Sequence, residues 1–433
     1  MKAVLNRISA SPRYARVFHW GKLISITGGT QVIVQGVGLT CGILIIRLLP
    51  IGEYALYTIA NTMLGTISLL ADGGISTGVM AQGSRVWQDK EKLGTVLATG
   101  LHLRKNFAAA SLLVSTPVLI YLLMRHEAGW LSSILIVASL VPAFFAALSD
   151  SLLEIVPKLH QAVVPLQRNQ LTVSIGRLIL SGILVFIFPF SFIAILAAGI
   201  PRAIGNLRLQ NISGTFIIKN QKPDPEIQKK ILKTVRKILP GSIFYCFYGQ
   251  ITIWLISIFG TSHSVAEVGA LGRLAMVLTL LNVLFSTLVI PRFARLPNNL
   301  AILLNRFLQI QFGLLIFGAF TVSIIHIFSA QALWILGPNY SNLKTELTLS
   351  FAGSFLGLIA GILFSLNTSR GWTISPFISI SINLAAIVLG ILIIDISTIR
   401  GLFVFNIFVA GTDVLIYCLY GLLKILRYSG IED

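Results

Sequence analysis

The chain has 433 residues, of which 55% are hydrophobic and only 11% charged, and its mean hydropathy is +0.86. Too little polar surface is left to coat a soluble globule, so the chain belongs in a membrane. A formal charge of +18 does not point to nucleic acid, because the basic residues sit between apolar runs and form no amphipathic face studded with aromatics.

In chain order, Met1–Lys22 is basic and leads straight into a long apolar span without a small-residue cleavage site, so it reads as retained. Apolar segments of spanning length follow at roughly 23–47, 54–81, 104–124, 130–153, 169–189, 191–211, 238–259, 266–290, 302–327, 345–367, 374–395 and 400–423. The fold class is therefore an all-α polytopic membrane protein with about twelve transmembrane helices.

The stretch Arg47–Ser76 shows the plan. Pro50 ends the first span by removing a donor and restricting the residue before it, and Gly52 gives the backbone room to turn. The chain is then apolar until Asp72-Gly73-Gly74 breaks it with one carboxylate and two flexible residues.

Charge in the loops sets orientation. One side collects Lys2 to Lys22; Arg85, Lys90, Lys92, Arg104 and Lys105; Lys158 and Arg168; the run from Lys219 to Lys237; Arg292, Arg295 and Arg306; Arg370; and Lys424 and Arg427. The other side holds Arg47, Arg125, Lys344 and Arg400. By the positive-inside rule the crowded side, with both termini, is the cytoplasm. A secondary attraction of this charge to anionic headgroups follows.

The longest inner loop divides the chain into an N-terminal six-helix lobe, 1–218, a basic cytoplasmic linker, 219–237, and a C-terminal six-helix lobe, 238–433. Glu53-Tyr54-Ala55 after the first helix is echoed by Glu267-Val268-Gly269 after the seventh, and the helices that follow run toward Arg85 and Arg295. Two pseudo-symmetric lobes fit this pattern, and transporters built from repeats bind substrate at the repeat interface.

Arg47-Leu48-Leu49-Pro50-Ile51-Gly52-Glu53-Tyr54-Ala55, followed by Asp72-Gly73-Gly74, resembles the opening signature of the polysaccharide-exporter branch of the MOP flippase superfamily, the Wzx-type O-antigen and exopolysaccharide transporters. Gly337-Pro338-Asn339-Tyr340 and Asn383 match further on. Glycine is usual where Ala55 stands. Multidrug and toxin extruders and lipid II flippases share the same helix plan. The resemblance implies a MATE-like pair of lobes working by alternating access in the bacterial inner membrane. Its cargo would be a polyprenyl-pyrophosphate-linked oligosaccharide, flipped with proton or sodium coupling and no other cofactor. Implied partners are the lipid-linked oligosaccharide, membrane lipids, a polysaccharide polymerase and chain-length proteins, with no nucleic acid.

Such a cargo needs cations for its pyrophosphate and hydrogen-bonding groups for its sugars. Arg273, about 10 Å into the eighth helix, and Arg177, a similar distance into the fifth, either line a cavity or snorkel to the nearest interface. Arg202 reads as an interfacial anchor. Asp72, about 28 Å along the second helix, is an ion-coupling candidate or a helix-break residue close to Arg85. Asp150 and Glu154 share a helix face and make either a cation site or ion pairs beside Lys158. Gln31, Gln35, Asn61, Gln250 and Asn282 bond either sugar or neighbouring helices.

Trp87, Trp130, Trp334 and Trp372 fall at span ends, as an aromatic belt requires. The six histidines are interfacial without metal-site spacing, and Cys41, Cys246 and Cys418 are packing residues. Short outer loops with no nucleophile and base arrangement argue against an enzyme. The alternative function is a MATE-type cation-coupled drug or metabolite exporter.

Overall fold

The computed structural model of the chain describes residues 12–297 and 299–428, and the side chains of 12–27, 287 and 291 are left out of that description. The basic segment 1–11 and residues 429–433, on which the retained N-terminus and part of the terminal orientation rest, lie outside the described residues.

Every regular element described is helical: α1 Pro12–Leu48, α2 Ile51–Asp72, α3 Ile75–Gly83, α4 Lys90–Arg125, α5 Trp130–Leu153, α6 Ile155–Leu159, α7 Val163–Ile187, α8 Ser191–Gly214, α9 Pro225–Tyr248, α10 Ile251–Phe259, α11 Ser262–Ala275, α12 Leu278–Leu284, α13 Ile290–Ala294, α14 Leu300–Ile327, α15 Ser329–Leu336, α16 Lys344–Ser369, α17 Pro376–Ile393 and α18 Ile399–Tyr428. A π turn, Phe285–Val289, joins α12 to α13, and a 3-10 turn, Pro338–Tyr340, precedes α16. Among the described residues eleven helical stretches are long and apolar enough to cross a membrane, or twelve where α9 and α10, bent by 54° at their junction, count as one broken span. The chain is an all-α polytopic membrane protein, as its composition requires.

Local sequence explains the breaks. Pro50 stands between α1 and α2, and Gly73 and Gly74, at φ 47° and 93°, take the left-handed turn between α2 and α3 that a side chain would resist. The third span starts well before the expected position 104. Asp89 Oδ1 accepts the amides of Glu91 and Lys92, both at 3.1 Å, and so caps α4. Those donors, with the Lys92 backbone amide foremost, hold the Asp89 carboxyl below its usual range. Arg104 and Lys105 therefore lie inside a helix, not in the loop where their charge had placed them.

Two compact units emerge from packing. The first comprises residues up to Cys41, Met63–Tyr121 and Gly129–Ile243. In it α8 packs against both α5 and α7, and one cluster of Ile75, Val79, Leu93, Leu152, Ile231 and Val235, among others, fills the core beside α3 and α9. The second comprises Gly42–Thr62, Leu122–Ala128 and the chain from Phe244, with α16 laid along α18.

The basic stretch 219–237 is helical from Pro225. Ile231 and Val235 bury its apolar side while Lys229, Lys230, Lys233, Arg236 and Lys237 stay exposed, the pattern of an amphipathic helix. Two interfacial readings need correction. Trp372 is buried under the Arg370 guanidinium, 5.4 Å from its ring centre. His126 is buried too, with Nε2 2.9 Å from the Ser257 carbonyl and Nδ1 3.1 Å from Ser262 Oγ.

Candidate functional site

In the first unit the three candidate carboxylates are all engaged. Asp72, at the C-terminus of α2, accepts from the Ser76 amide at 3.2 Å and from Ser76 Oγ at 2.6 Å, so it caps α3. Its ionic partner is Arg104, not Arg85. The Arg104 side chain is only 2% exposed and also donates to Ser76 Oγ at 2.7 Å, to the Leu148 carbonyl and to Ser151 Oγ.

Asp150 and Glu154 each have a separate cation. Asp150 Oδ2 meets Arg202 Nε at 3.1 Å, and its Oδ1 accepts from Asn206 Nδ2 at 2.7 Å. Arg202 thus serves as a counter-ion. Glu154 Oε2 pairs with Lys158 Nζ at 2.6 Å, while Oε1 accepts from Gln170 Nε2 at 3.3 Å. Gln170 in turn accepts from Gln31 Nε2 at 3.1 Å, so Gln31 ties α1 to the Glu154 end of α5 through α7.

Arg177 differs from these. Because α7 begins at Val163, the residue lies about 21 Å along the helix and about 15 Å from its other end, deeper than the sequence had placed it. The Nε of this half-buried side chain is enclosed and has no hydrogen-bond partner among the described residues. Gln35 on α1 likewise makes no side-chain hydrogen bond to a described residue.

The second unit holds Arg273 on α11, about 17 Å from Ser262. Its aliphatic stem covers Gly42, where an added Cβ would sit 3.3 Å from Cδ. The guanidinium bonds the Tyr54 hydroxyl and lies 3.7 Å from Met276 Sδ. Asn61 and the exposed Asn282 make no side-chain hydrogen bond to a described residue, and Gln250 occupies the bend between α9 and α10.

The motif residues meet in this unit as packing devices. Arg47 Nε and Nη2 donate to the carbonyls of Ile335 and Trp334 at 2.8 and 2.6 Å. Gly337, at φ 115°, lets the chain turn into the 3-10 segment. Tyr340 is buried there, and its hydroxyl is pushed above its usual range by desolvation, with Tyr54 and Glu267 nearby adding to the effect.

A cavity of about 440 Å³ opens among α9, α10, α16 and α18, lined by Tyr245, Tyr248, Thr252, Asn406, Asp413 and Tyr417 with small residues of α16. Tyr248 donates its hydroxyl to Asp413 Oδ2, and Asp413 Oδ1 is buried. Asn383 of α17 is buried beside it, its side chain directed at the same carboxylate. Sequence reasoning passed over Asp413, although it is the only carboxylate of the last span, and intramembrane carboxylates are functional candidates by default. One carboxylate, a tyrosine hydroxyl and an amide can accept a proton or a small cation.

No protein-family model matches the sequence, and no curated protein matches it. In structure the chain is similar to an inward-facing conformation of a multidrug resistance MATE family transporter of the MOP superfamily, with a TM-score of 0.71 over 92% of this chain and 96% of that one at 14% identity. An outward-facing conformation of such a transporter aligns with a TM-score of 0.62 over 94% and 96% at 15% identity. A MOP superfamily transporter from Pyrococcus furiosus, described as having a binding pocket of reverse polarity that suggests a different function, aligns with a TM-score of 0.58 over 95% and 96% at 16% identity. The fold is that of the MATE transporters.

Proposed function

We propose that the protein is a membrane transporter that moves a polyprenyl-pyrophosphate-linked oligosaccharide by alternating access, with two six-span halves, 1–218 and 238–433, and Arg177 and Arg273 as the cationic contacts for its pyrophosphate. The carrying observation is Arg177: a half-buried guanidinium deep in a span, its Nε enclosed and without a hydrogen-bond partner among the described residues. An isolated cation in that setting calls for an anion, and arginine's planar fork suits phosphate. The engaged state of Asp72, Asp150 and Glu154 fits the same reading, since none is left to greet a cationic drug. Gln35, Asn61, Gln250 and Asn282 would bond the sugars, and both termini would face the cytoplasm of the inner membrane. Polysaccharide polymerase and chain-length proteins would act on the product.

A second reading, a cation-coupled exporter of drugs or metabolites, is favoured by Asp413 and its tyrosine-lined cavity and by the multidrug transporters that share the fold. The test is translocation in proteoliposomes, comparing a polyprenyl-pyrophosphate oligosaccharide with a cationic dye. Under the first reading the lipid-linked sugar crosses, and Arg177→Gln slows it at least tenfold at equal insertion. Transport of the dye alone, or wild-type sugar flipping by the Arg177→Gln, Arg273→Gln double variant, would overturn it.

A further inference from the structure

We propose that the pocket where the π turn and α13 meet α14 is a binding site for the phosphate head of a membrane lipid. The inference does not depend on what the protein transports. The π turn, Phe285–Val289, widens the helix just before α13, and such bulges mark functional positions in many helices. A pocket of about 600 Å³ lies beside it, lined by Arg292 and Arg306 together with the apolar Leu288, Val289, Phe293, Leu296 and Ile310.

Charge and apolar surface are both needed to explain this lining. Arg306 Nη1 donates to Gln309 at 2.9 Å, which leaves the remaining donors of its fork open. Arg292 is exposed and makes no side-chain hydrogen bond to a described residue. Behind them Arg370 Nη1 donates to the carbonyls of Phe293 and Leu296 at 3.1 and 3.0 Å, closing the C-terminus of α13 and adding a third positive charge.

The chain has no aspartate or glutamate between Glu267 and Glu346. Glu346, at the other end of α16 from Arg370, is paired with Arg400 at 2.6 Å. Among the described residues neither Arg292 nor Arg306 forms an ion pair. A free phosphate would use the arginines and leave the wall idle, whereas a phosphate ester with an acyl or prenyl chain uses both, the chain running along Leu288, which is 51% exposed. Two lipids share that chemistry, an anionic phospholipid and a polyprenyl phosphate.

Native mass spectrometry of the purified full chain separates them. One arm adds phosphatidylglycerol and the other a polyprenyl phosphate, each against phosphatidylcholine. The expected result is retention of at least one phosphate lipid by the wild type and at least a tenfold loss of apparent affinity in Arg292→Gln, Arg306→Gln. Retention only of phosphatidylglycerol assigns a phospholipid, and retention only of the polyprenyl phosphate assigns a prenyl carrier. Lys229→Gln, Lys233→Gln removes the same charge from the exposed side of α9 and should change nothing. Ile310→Trp, which fills the pocket with both arginines in place, should weaken retention as well, and it decides the matter if the arginine variant does not fold. Wild-type retention by both the arginine and tryptophan variants, or an equal loss in the lysine variant, would overturn the site.

Discussion

Removing the charge of Asp72 should destabilise the first unit more than removing Arg104 does, and removing both should cost less than removing Asp72 alone. The asymmetry comes from exposure. Arg104 is 2% exposed and Asp72 30%, so Asp72→Asn strands a cation where water does not reach, while Arg104→Met leaves a carboxylate that water can still solvate. Asp72→Asn keeps a side-chain oxygen for Ser76, so the cap on α3 survives and the change isolates charge. Breaking a buried pair by deleting one partner costs about 3–5 kcal/mol, and this value applies to Asp72→Asn. Arg104→Met should cost about 2 kcal/mol, mainly through the hydroxyls of Ser76 and Ser151 that lose a donor. Equilibrium unfolding in mixed micelles, run as a double-mutant cycle, would return a coupling of about 2–3 kcal/mol. An additive double variant, or Asp72→Asn within about 1 kcal/mol of wild type, would show that the pair does not hold the α2–α3 break in place.

Asp413→Asn should abolish any proton or sodium dependence of transport while Asp150→Asn does not, measured in proteoliposomes with imposed gradients at matched insertion. Gly269→Ala places a Cβ 2.6 Å from Thr58 Oγ1; an overpacking cost of about 1–3 kcal/mol is expected, and thermal unfolding should show most of it recovered in a Thr58→Ala background. His126→Phe removes both polar contacts of a buried ring and should lower stability by about 1–3 kcal/mol, with faster proteolysis near Glu127. At Asp395, whose carboxyl is held below its ordinary value by Ser397, the protection of the Ser397 amide should be constant above the usual aspartate range. It should fall only as pH drops through the depressed value, as read by hydrogen exchange.

Hydropathy and breakers carried the spans, because a bilayer demands continuous apolar helices with every backbone group satisfied inside the segment. Pro50 and the Gly73-Gly74 pair could be read by local rules alone, whereas the basic stretch 219–237, read as a loop, is helical from Pro225. The start of α4 could not be read so. Arg104 and Lys105 look like loop residues in a linear count of charge, and only the folded chain supplies Asp72, Ser76 and Ser151 to make a buried arginine tolerable. The depths of Arg177 and Arg273 shifted for a similar reason: α7 runs through the polar stretch Gln167-Arg168-Asn169-Gln170 and α11 begins Ser262-His263-Ser264, residues at which a hydropathy window stops counting.

The site divides in the same way. Sequence alone determined the membrane class, the number of spans and the short list of intramembrane arginines and carboxylates, because those depend on residue type and spacing. Tertiary structure decided which charges cancel: Asp72 with Arg104, Asp150 with Arg202 and Glu154 with Lys158, while Arg177 Nε has no hydrogen-bond partner among the described residues and Asp413 faces a cavity. Pairing depends on which helices lie side by side, and apolar helices of similar length carry almost no local record of their neighbours.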